Sequence, residues 1–199
     1  MKIITVTGYK GGVTKSTTAI HLSTFLSDES NVLLIDGDPN RTAIAWSERG
    51  ELPFDVVDER RAMKVISKYD FAVIDTPARP DSNDLKELAE GCDLLILPTL
   101  PDVVSLDPML QTAEELGDAT YRALIAVVPP KPNRDGETMR AELKAEGVPV
   151  FETMIRRAIG FSKAALAGKP VRDLTGDDRK AWLDYEKLGN EVLEALSNE

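Results

Sequence analysis

The chain contains 199 residues, of which 42% are hydrophobic, and it carries a formal net charge of −10. A chain of this length and apolar content can bury one core, so we expect residues 1–199 to form a single domain. No apolar run reaches the roughly 18 residues of a membrane-spanning helix, and the first residues lack the pattern of a signal peptide. The single cysteine, Cys92, excludes an internal disulfide bond and agrees with a reducing, cytoplasmic location.

Short apolar runs of strand length alternate with longer amphipathic stretches along the chain. The predicted strands span residues 3–7, 31–36, 54–57, 71–75, 94–97, 124–128 and 148–151. The predicted helices span residues 15–27, 59–68, 84–89, 104–116, 137–146 and 177–196. This alternation indicates an α/β fold, in which helices cover both faces of a mostly parallel, twisted sheet.

A glycine-rich turn follows the first strand and reads K-G-G-V-T-K-S from Lys10 to Ser16. A strand, such a turn and the start of a helix build a phosphate cradle, because backbone N–H groups and the positive end of the helix face the anion. Lys15 reaches the outer phosphates in a cradle of this kind, and the Ser16 hydroxyl binds Mg²⁺. The turn therefore predicts a site for a nucleotide phosphate chain with Mg²⁺.

The turn departs from the usual P-loop pattern, because Tyr9 and Thr14 stand where that pattern has glycine. We expect Thr14 to adopt a helix-entry conformation. With its extra lysine, the turn resembles the deviant Walker A motif of the ParA/MinD ATPases. The resemblance implies an ATP site formed by residues Gly11, Gly12, Val13, Thr14, Lys15, Ser16 and Thr17. It also implies that Lys10 crosses a dimer interface to the nucleotide of the partner subunit, and that Lys10 and Lys15 are catalytic.

Acidic residues follow two further predicted strands. The segment Asp36-Gly37-Asp38-Pro39 resembles the D-x-D-P-Q segment of the same family, which implies that Asp38 positions the attacking water and that Asp36 supports Mg²⁺. An Asp-Pro turn that caps the next helix is the simpler alternative. Asp75 ends an apolar strand of the Walker B kind and is predicted to face the hydration shell of Mg²⁺. By its position, the loop at Pro129 and Pro130 resembles the segment that holds adenine in this family.

A basic window spans residues 153–172 and contains no acidic residue. Its five basic residues are Arg156, Arg157, Lys163, Lys169 and Arg172. The window resembles the corresponding stretch of small ParA proteins, which implies sequence-independent contacts with DNA phosphates. A solvated basic face is the alternative.

The resemblance covers the whole chain, and it is greatest to small ParA partition ATPases and to McdA-type carboxysome-positioning ATPases. It implies a slow ATPase that dimerises on ATP, binds DNA on the nucleoid and positions a plasmid, a chromosome or a carboxysome with an adaptor of the ParB or McdB kind. A MinD-like regulator is one alternative, but the acidic C-terminal tail disfavours membrane attachment. A small-molecule enzyme of the dethiobiotin-synthetase kind is another, although Lys10 and the basic window have no role in it.

Overall fold

The computed structural model describes residues 1–197, which form six β-strands and eight α-helices. The strands are β1 (Lys2–Gly8), β2 (Val32–Asp36), β3 (Asp55–Asp58), β4 (Phe71–Ala78), β5 (Leu94–Thr99) and β6 (Tyr121–Ile125). The helices are α1 (Lys15–Leu26), α2 (Thr42–Ser47), α3 (Glu59–Val65), α4 (Ser82–Glu90), α5 (Val103–Leu116), α6 (Asp135–Ala145), α7 (Ile159–Ala167) and α8 (Trp182–Ser197). Single 3-10 turns cover Ile66–Lys68, Val171–Asp173 and Gly176–Ala181.

All six strands are parallel and lie in the order β3-β2-β4-β1-β5-β6. After β1 the chain builds β2 and β3 on one side, returns to place β4 next to β1, and then adds β5 and β6 on the other side. In open sheets of this kind a ligand binds at the carboxyl ends of the strands, where the direction of winding changes. That point lies at the end of β1, directly before the glycine-rich turn.

Helices cover both faces of the sheet, because successive side chains of a strand point to opposite faces. On β2, Leu34 packs in the cluster that contains residues of α1, α2, α7 and α8. Leu33 and Ile35 of the same strand pack against Ala62 of α3. A third cluster joins β5 and β6 to α4, α5 and α6. The predicted α/β fold class, with a parallel sheet between two helical layers, is confirmed.

Two strand predictions are wrong near the β6 edge. The predicted strand at 148–151 is only an isolated bridge between Val150 and Ala123, since Pro149 has no N–H group to donate to a ladder. The strand predicted at 124–128 lies three residues earlier, as Tyr121–Ile125. Val127 has a left-handed φ of 59°, which interrupts the extended backbone before the predicted end.

Several elements differ in length from their predictions, and the differences in β4 and in the closing helix are the most informative. β4 continues past Asp75 to Ala78, which pairs with Gly8 after a shift in register, so the residues after Asp75 extend the sheet before the chain turns. The closing helix begins with the 3-10 turn Gly176–Ala181 and is α-helical from Trp182. None of the helices within residues 1–197 is long and apolar enough to cross a membrane.

Candidate functional site

The glycine-rich turn joins β1 to α1, and two of its glycines face open space. Gly12 has a φ of 79°, a conformation that glycine adopts without steric cost. A Cβ atom built at Gly11 or Gly12 would meet no heavy atom within 4 Å. The backbone is therefore open to a ligand on this side, as a phosphate cradle requires.

Thr14 precedes α1 and has a left-handed backbone, with φ 73° and ψ 22°. The expectation of a helix-entry conformation at this position is therefore wrong. The usual P-loop pattern places glycine here because glycine alone adopts this conformation freely. The Thr14 hydroxyl lies 3.4 Å from the Thr18 hydroxyl and does not cap the helix.

The two lysines of the turn have different surroundings. Lys15 is buried, with 7% of its surface exposed, at the start of α1. The side chain of Lys10 is 33% exposed, and its ammonium donates to Ser105 Oγ at 3.0 Å and lies 3.9 Å from Asp102 Oδ1. Lys10 thus contacts the first turn of α5, on the surface of the protein, rather than the buried carboxylates.

Strand register brings two of the predicted metal-site carboxylates side by side. Asp75 of β4 lies opposite Val6 of β1 on one side and opposite Asp36 of β2 on the other. Both acids are fully buried. Neither oxygen of the Asp75 carboxylate accepts a hydrogen bond of normal geometry within the described chain. Burial raises the pKa of Asp75 to about 7, and the nearby Ser16 hydroxyl opposes part of that rise.

Asp36 and Asp38 shape the loop that leads into α2. Asp36 Oδ2 accepts the N–H of Ile44 at 2.9 Å, and its Oδ1 accepts the N–H of Asp38 at 3.2 Å. Burial raises the pKa of Asp36, and these backbone donors lower it. Asp38 Oδ1 accepts the N–H of Asn40 at 2.8 Å. Asp36 therefore bonds the first turn of α2, whereas Asp38 of the Asp-Pro turn does not cap that helix and retains one oxygen that is not bound by the described residues.

The acidic groups fit a magnesium ion that a nucleotide helps to hold. Within residues 1–197, no group of three or more His, Cys, Asp or Glu side chains is arranged to hold a metal ion unaided. Mg²⁺ in phosphate-transfer sites takes one or two carboxylates, and water and phosphate oxygens supply its other ligands. Asp75, with an uncompensated buried carboxylate beside Ser16, offers the group that such an ion requires.

The proline loop after β6 lines a cavity of about 440 Å³, which also contains Arg156 and Arg157. Pro129 and Pro130 both belong to its wall. The same two arginines border a second cavity of about 390 Å³, lined by Thr14, Thr17 and Val127 and by aromatic residues below. Val127, two residues before Pro129, therefore lines the same cavity as Thr14 at the start of α1. The strained φ of Val127 at this place has no signal in the sequence.

The structure separates the basic window into two groups. Three of the five cations are paired with carboxylates. Arg156 binds both oxygens of Asp184, at 2.7 and 2.6 Å, while Lys163 Nζ lies 2.6 Å from Asp178 Oδ2 and Arg172 NH1 lies 2.6 Å from Asp28 Oδ1. Arg157 and Lys169 are exposed and make no ion pair within residues 1–197. These two are the members of the window that can meet a phosphate without losing an internal partner.

His21, the single histidine of the sequence, lies in α1 and connects that helix to the basic window. Its Nδ1–H donates to Thr17 O at 2.7 Å, and its Nε2 accepts the N–H of Val171 at 3.0 Å. The ring stacks on Tyr185 with 4.8 Å between centroids. Trp46 lies beside it, and its Nε1–H donates to Lys169 O at 3.1 Å. A lone histidine in a sequence does not reveal such partners, since Val171 lies in the 3-10 turn after α7 and Tyr185 in α8, both far along the chain.

Comparisons with known proteins identify the family and the fold of this chain. Residues 4–171 match the profile of a family described as CobQ/CobB/MinD/ParA nucleotide binding domain. The chain is 31% identical over 202 residues to "Maintenance of carboxysome distribution protein A" of Gloeobacter kilaueensis. The aligned region covers 96% of this chain and 94% of the relative. "Protein ParA" of Rhizobium radiobacter is 26% identical over 180 residues and 81% of each chain.

A solved structure of a Cyanothece McdA variant in complex with ATP has a TM-score of 0.75, at 18% identity, over 99% of this chain and 96% of that chain. At this identity the likeness establishes the fold alone. The profile match and the 31% identity establish the family, whose members are nucleotide-binding P-loop proteins of the ATPase type. The chain belongs to the CobQ/CobB/MinD/ParA family, within its ParA/MinD/McdA-type positioning ATPases.

Proposed function

We propose that this chain binds ATP with Mg²⁺ and hydrolyses it slowly, pairs with a second copy when ATP is bound, and in that form binds DNA without sequence specificity. The observation that carries this proposal is the separation of the two lysines. Lys15 is buried at the start of α1, whereas Lys10 lies on the surface against Ser105. A phosphate cradle that acts alone needs only Lys15. The presence of Lys10 on the surface therefore favours a role for it at an interface.

The nucleotide site is assigned to residues that the fold brings to the end of β1. The backbone of Gly11, Gly12, Val13, Thr14 and Thr17, together with Lys15, would hold the phosphates, and Ser16, Asp36 and Asp75 would support Mg²⁺. When bound, this ion would neutralise the charge that develops on the phosphates during transfer. Asp75 supports this assignment because neither oxygen of its buried carboxylate accepts a hydrogen bond of normal geometry in the described chain, and the Ser16 hydroxyl lies nearby. We assign the adenine contacts to Pro129 and Pro130.

Asp38 is proposed to position the attacking water. Its Oδ1 is fixed by the N–H of Asn40, which orients the carboxylate, and only 7% of the residue is exposed. A fixed carboxylate at the carboxyl edge of the sheet can accept a hydrogen bond from water with its second oxygen. Slow turnover follows if the cation that completes the site comes from a second subunit.

Dimerisation is supported by apolar side chains next to Lys10. Val103 and Val104 begin α5 and are 84% and 72% exposed, while Ser105, the next residue, accepts the hydrogen bond from Lys10. Exposed neighbouring valines beside a cation make a surface that gains free energy when another molecule covers it. A second copy that places Lys10 on its partner's nucleotide would cover these valines.

DNA binding is assigned to the basic window, and the five residues Arg156, Arg157, Lys163, Lys169 and Arg172 remain its proposed contacts. Arg157 and Lys169 support this best, because they are exposed and unpaired within the described chain. Two subunits would present the window twice, and two weak contacts that are linked bind far more tightly than one. ATP would thus control DNA binding through the dimer.

The cargo and the adaptor follow from the relatives. A relative with 31% identity maintains carboxysome distribution by its name, and another is a ParA protein. We propose that this chain positions a carboxysome or another protein body, or partitions a plasmid or chromosome, from the nucleoid in the cytoplasm. An adaptor of the ParB or McdB kind would connect it to that cargo.

A MinD-like regulator without a DNA partner is the second candidate, because the family includes MinD. The exposed face of α8 carries Glu186 and Glu194, which anionic lipid repels, so this candidate has less support. A small-molecule enzyme remains the third candidate, since the family name also includes CobQ and CobB.

The test is DNA binding as a function of nucleotide. Fluorescence anisotropy of a labelled duplex of arbitrary sequence would be followed with ADP, ATP and a non-hydrolysable ATP analogue, while sedimentation measures the dimer. We expect DNA binding and dimers with ATP or the analogue, and neither with ADP. Saturable ATP turnover that depends on a small molecule and ignores DNA would contradict the proposal.

Two variants assign the roles within this scheme. Asp38→Ala should bind ATP, dimerise and remain on DNA, because the water would no longer be positioned. Lys10→Ala should bind ATP as a monomer. Release of Asp38→Ala from DNA at the wild-type rate would show that Asp38 does not position the water, and normal dimerisation of Lys10→Ala would exclude the contact across the interface.

A further inference from the structure

A second cationic surface lies on the opposite face of the sheet from the basic window. Four basic residues of α3 and the 3-10 turn after it, which we name the α3 cationic face, are exposed: Arg60, Arg61, Lys64 and Lys68. α3 packs against the sheet through Ala62 in the cluster that contains Leu33 and Ile35. This surface is not part of the basic window, because α7 packs on the other face of the sheet.

The four cations project from neighbouring positions of one short helical segment. Arg60 and Lys64 are four residues apart within α3, and Arg61 lies three before Lys64. Residues three and four apart occupy the same side of a helix. Lys68 follows in the 3-10 turn, so the segment from Arg60 to Lys68 is at most about 14 Å long, with rises of about 1.5 Å per residue in α3 and about 2.0 Å in the turn. Four positive charges are therefore concentrated on a small surface.

Within residues 1–197, none of the four side chains makes an ion pair or a hydrogen bond. Of the acids nearby, Glu59 pairs with Arg41 at 2.8 Å. Asp55, Asp58 and Asp70 accept hydrogen bonds from neutral O–H and N–H groups, which leave their negative charges in place. The four unpaired cations exceed these three charges by one, and such an excess attracts anions even on a protein that is acidic overall.

The contrast with the basic window is direct. Arg156, Lys163 and Arg172 would each have to share or give up a carboxylate in order to meet a phosphate. The four cations of α3 would give up only water. A phosphate contact from one of the α3 cations therefore loses less binding free energy than a contact from a cation that is already paired with a carboxylate.

We propose that the α3 cationic face contacts the phosphate backbone of DNA as a second, sequence-independent binding surface, an inference that rests on the proposed DNA-binding function. Charge complementarity selects this occupant, because phosphate contacts need clustered Arg and Lys and little else. A membrane surface fits less well, since only Met63 adds a largely exposed apolar side chain to this segment.

The α3 cationic face begins at the same edge of the sheet as the nucleotide site. Asp58, the residue before α3, lies opposite Asp36 in the ladder of β2 and β3. Arg41 connects the two places, since its guanidinium donates to the Asp36 carbonyl and to Glu59 of α3. DNA on this face would therefore lie beside the loop that carries Asp38.

The test compares two double charge reversals in the full chain. Arg60→Glu with Lys64→Glu removes half of the α3 cationic face. Lys86→Glu with Lys187→Glu is the matched control, because it changes the net charge equally at exposed lysines of α4 and α8. Anisotropy of a labelled duplex with the non-hydrolysable ATP analogue would be measured over a range of salt concentrations. Circular dichroism and analogue binding verify that each variant is folded.

We expect the α3 variant to lose about tenfold or more in DNA affinity and to lower the slope of log affinity against log salt by about 2 per engaged subunit. The control should change both quantities far less. An equal loss in the control would overturn the inference, because general charge repulsion would then be the cause. Arg61→Glu with Lys68→Glu provides a second variant if the first does not fold.

Three further outcomes separate this inference from the function on which it rests. If the α3 variant binds DNA like the wild type while Arg157→Glu with Lys169→Glu does not, the inference fails and the proposed function stands. If the wild type binds no DNA with any nucleotide, both fail. If the α3 variant loses only binding to vesicles of phosphatidylcholine and phosphatidylserine, the face is a lipid contact and the inference is wrong.

Discussion

Thr14 has a left-handed backbone conformation that costs a residue with a branched Cβ about 1–2 kcal/mol relative to a right-handed one. Thr14→Gly removes this cost and loses only a long contact with the Thr18 hydroxyl. Glycine also gives the unfolded chain more freedom, which offsets part of the gain. We expect the free energy of unfolding to rise by about 0.5–1 kcal/mol in urea denaturation of the nucleotide-free protein.

Thr17→Gly is the matched control for this prediction. Thr17 lies inside α1, where glycine lowers stability by about 0.5–1 kcal/mol relative to alanine and by roughly 0.3–0.5 kcal/mol relative to threonine. The same substitution at two positions three residues apart should thus change the free energy of unfolding in opposite directions. A loss of stability in both variants would mean that the Thr14 backbone carries no relievable strain.

His21 gives the protein a predictable pH dependence of stability. Burial lowers the pKa of His21 from 6.5 to about 4, and the neutral ring accepts the Val171 N–H at Nε2. As the pH falls, the unfolded chain takes up the proton before the folded chain does. The contribution of His21 is therefore complete above pH 6.5 and is lost as the pH falls towards 4, by about 3 kcal/mol.

The pH dependence is measured as the difference in unfolding free energy between the wild type and His21→Gln. At pH 7.5 the variant should be less stable, because it replaces a ring that makes two hydrogen bonds and stacks on Tyr185. Glutamine does not titrate, so the gap should narrow between pH 6.5 and 4.5. Two parallel curves over this range would contradict a buried, neutral His21.

For single residues, the sequence predicts positions that follow from the ends of strands. It does not predict backbone conformations that tertiary contacts determine. Asp75 could be placed because it ends an apolar run, and parallel strands align their carboxyl ends. The left-handed φ angles of Thr14 and Val127 could not be predicted from their residue types, since threonine and valine both favour an extended or right-handed backbone. Their conformations are imposed by the turn and by the loop after β6.

Between elements, the ion pair of Arg156 and Asp184 joins the segment before α7 to α8. The guanidinium binds both carboxylate oxygens of Asp184, whose side chain is only 10% exposed, and the Arg156 N–H adds a third bond at 3.0 Å. Arg156→Ala leaves this nearly buried carboxylate without its cation. We expect a loss of about 1–3 kcal/mol in unfolding free energy, measured in urea.

Arg157→Ala is the control, because Arg157 is the adjacent exposed arginine and has no ion pair within the described chain. Its stability should stay within about 0.5 kcal/mol of the wild type, as for other surface substitutions. The effects on DNA affinity should be in the opposite order. Arg157→Ala should weaken DNA binding directly, in a protein that remains folded. If Arg156→Ala is as stable as the wild type, the pair is a surface contact of little energetic value.

The elements show what apolar patterns can and cannot predict. The β2, β4 and β5 runs are apolar on both faces, as buried parallel strands require, and the predicted runs 31–36, 71–75 and 94–97 overlap them, although β4 and β5 continue to Ala78 and Thr99. The run 148–151 has the same composition but lies beside β6 with Pro149 in it, so no ladder forms. The basic window likewise reads as free charge in the sequence, because its carboxylate partners, Asp28, Asp178 and Asp184, lie outside it.

For the whole molecule, the proposed dimer depends on a surface made by two distant parts of the chain. Lys10 comes from the turn after β1, while Val103 and Val104 begin α5. The sequence predicts a role for Lys10 by resemblance, but it cannot show that these valines stand beside it. Only the order of strands, with β5 next to β1, brings the two segments together.

Val103→Ser with Val104→Ser should weaken the ATP-bound dimer about 10- to 100-fold, since each buried valine side chain contributes about 1.5 kcal/mol to association and part of that is offset by ordering. Sedimentation equilibrium with the non-hydrolysable ATP analogue measures this loss. Nucleotide affinity should stay unchanged, because the valines lie outside the phosphate cradle. Ile159→Ser with Leu166→Ser, which removes equally exposed apolar side chains from α7, should leave the dimer intact. If the α7 variant dissociates instead, the copies pair through the opposite face of the sheet and Lys10 does not reach a partner.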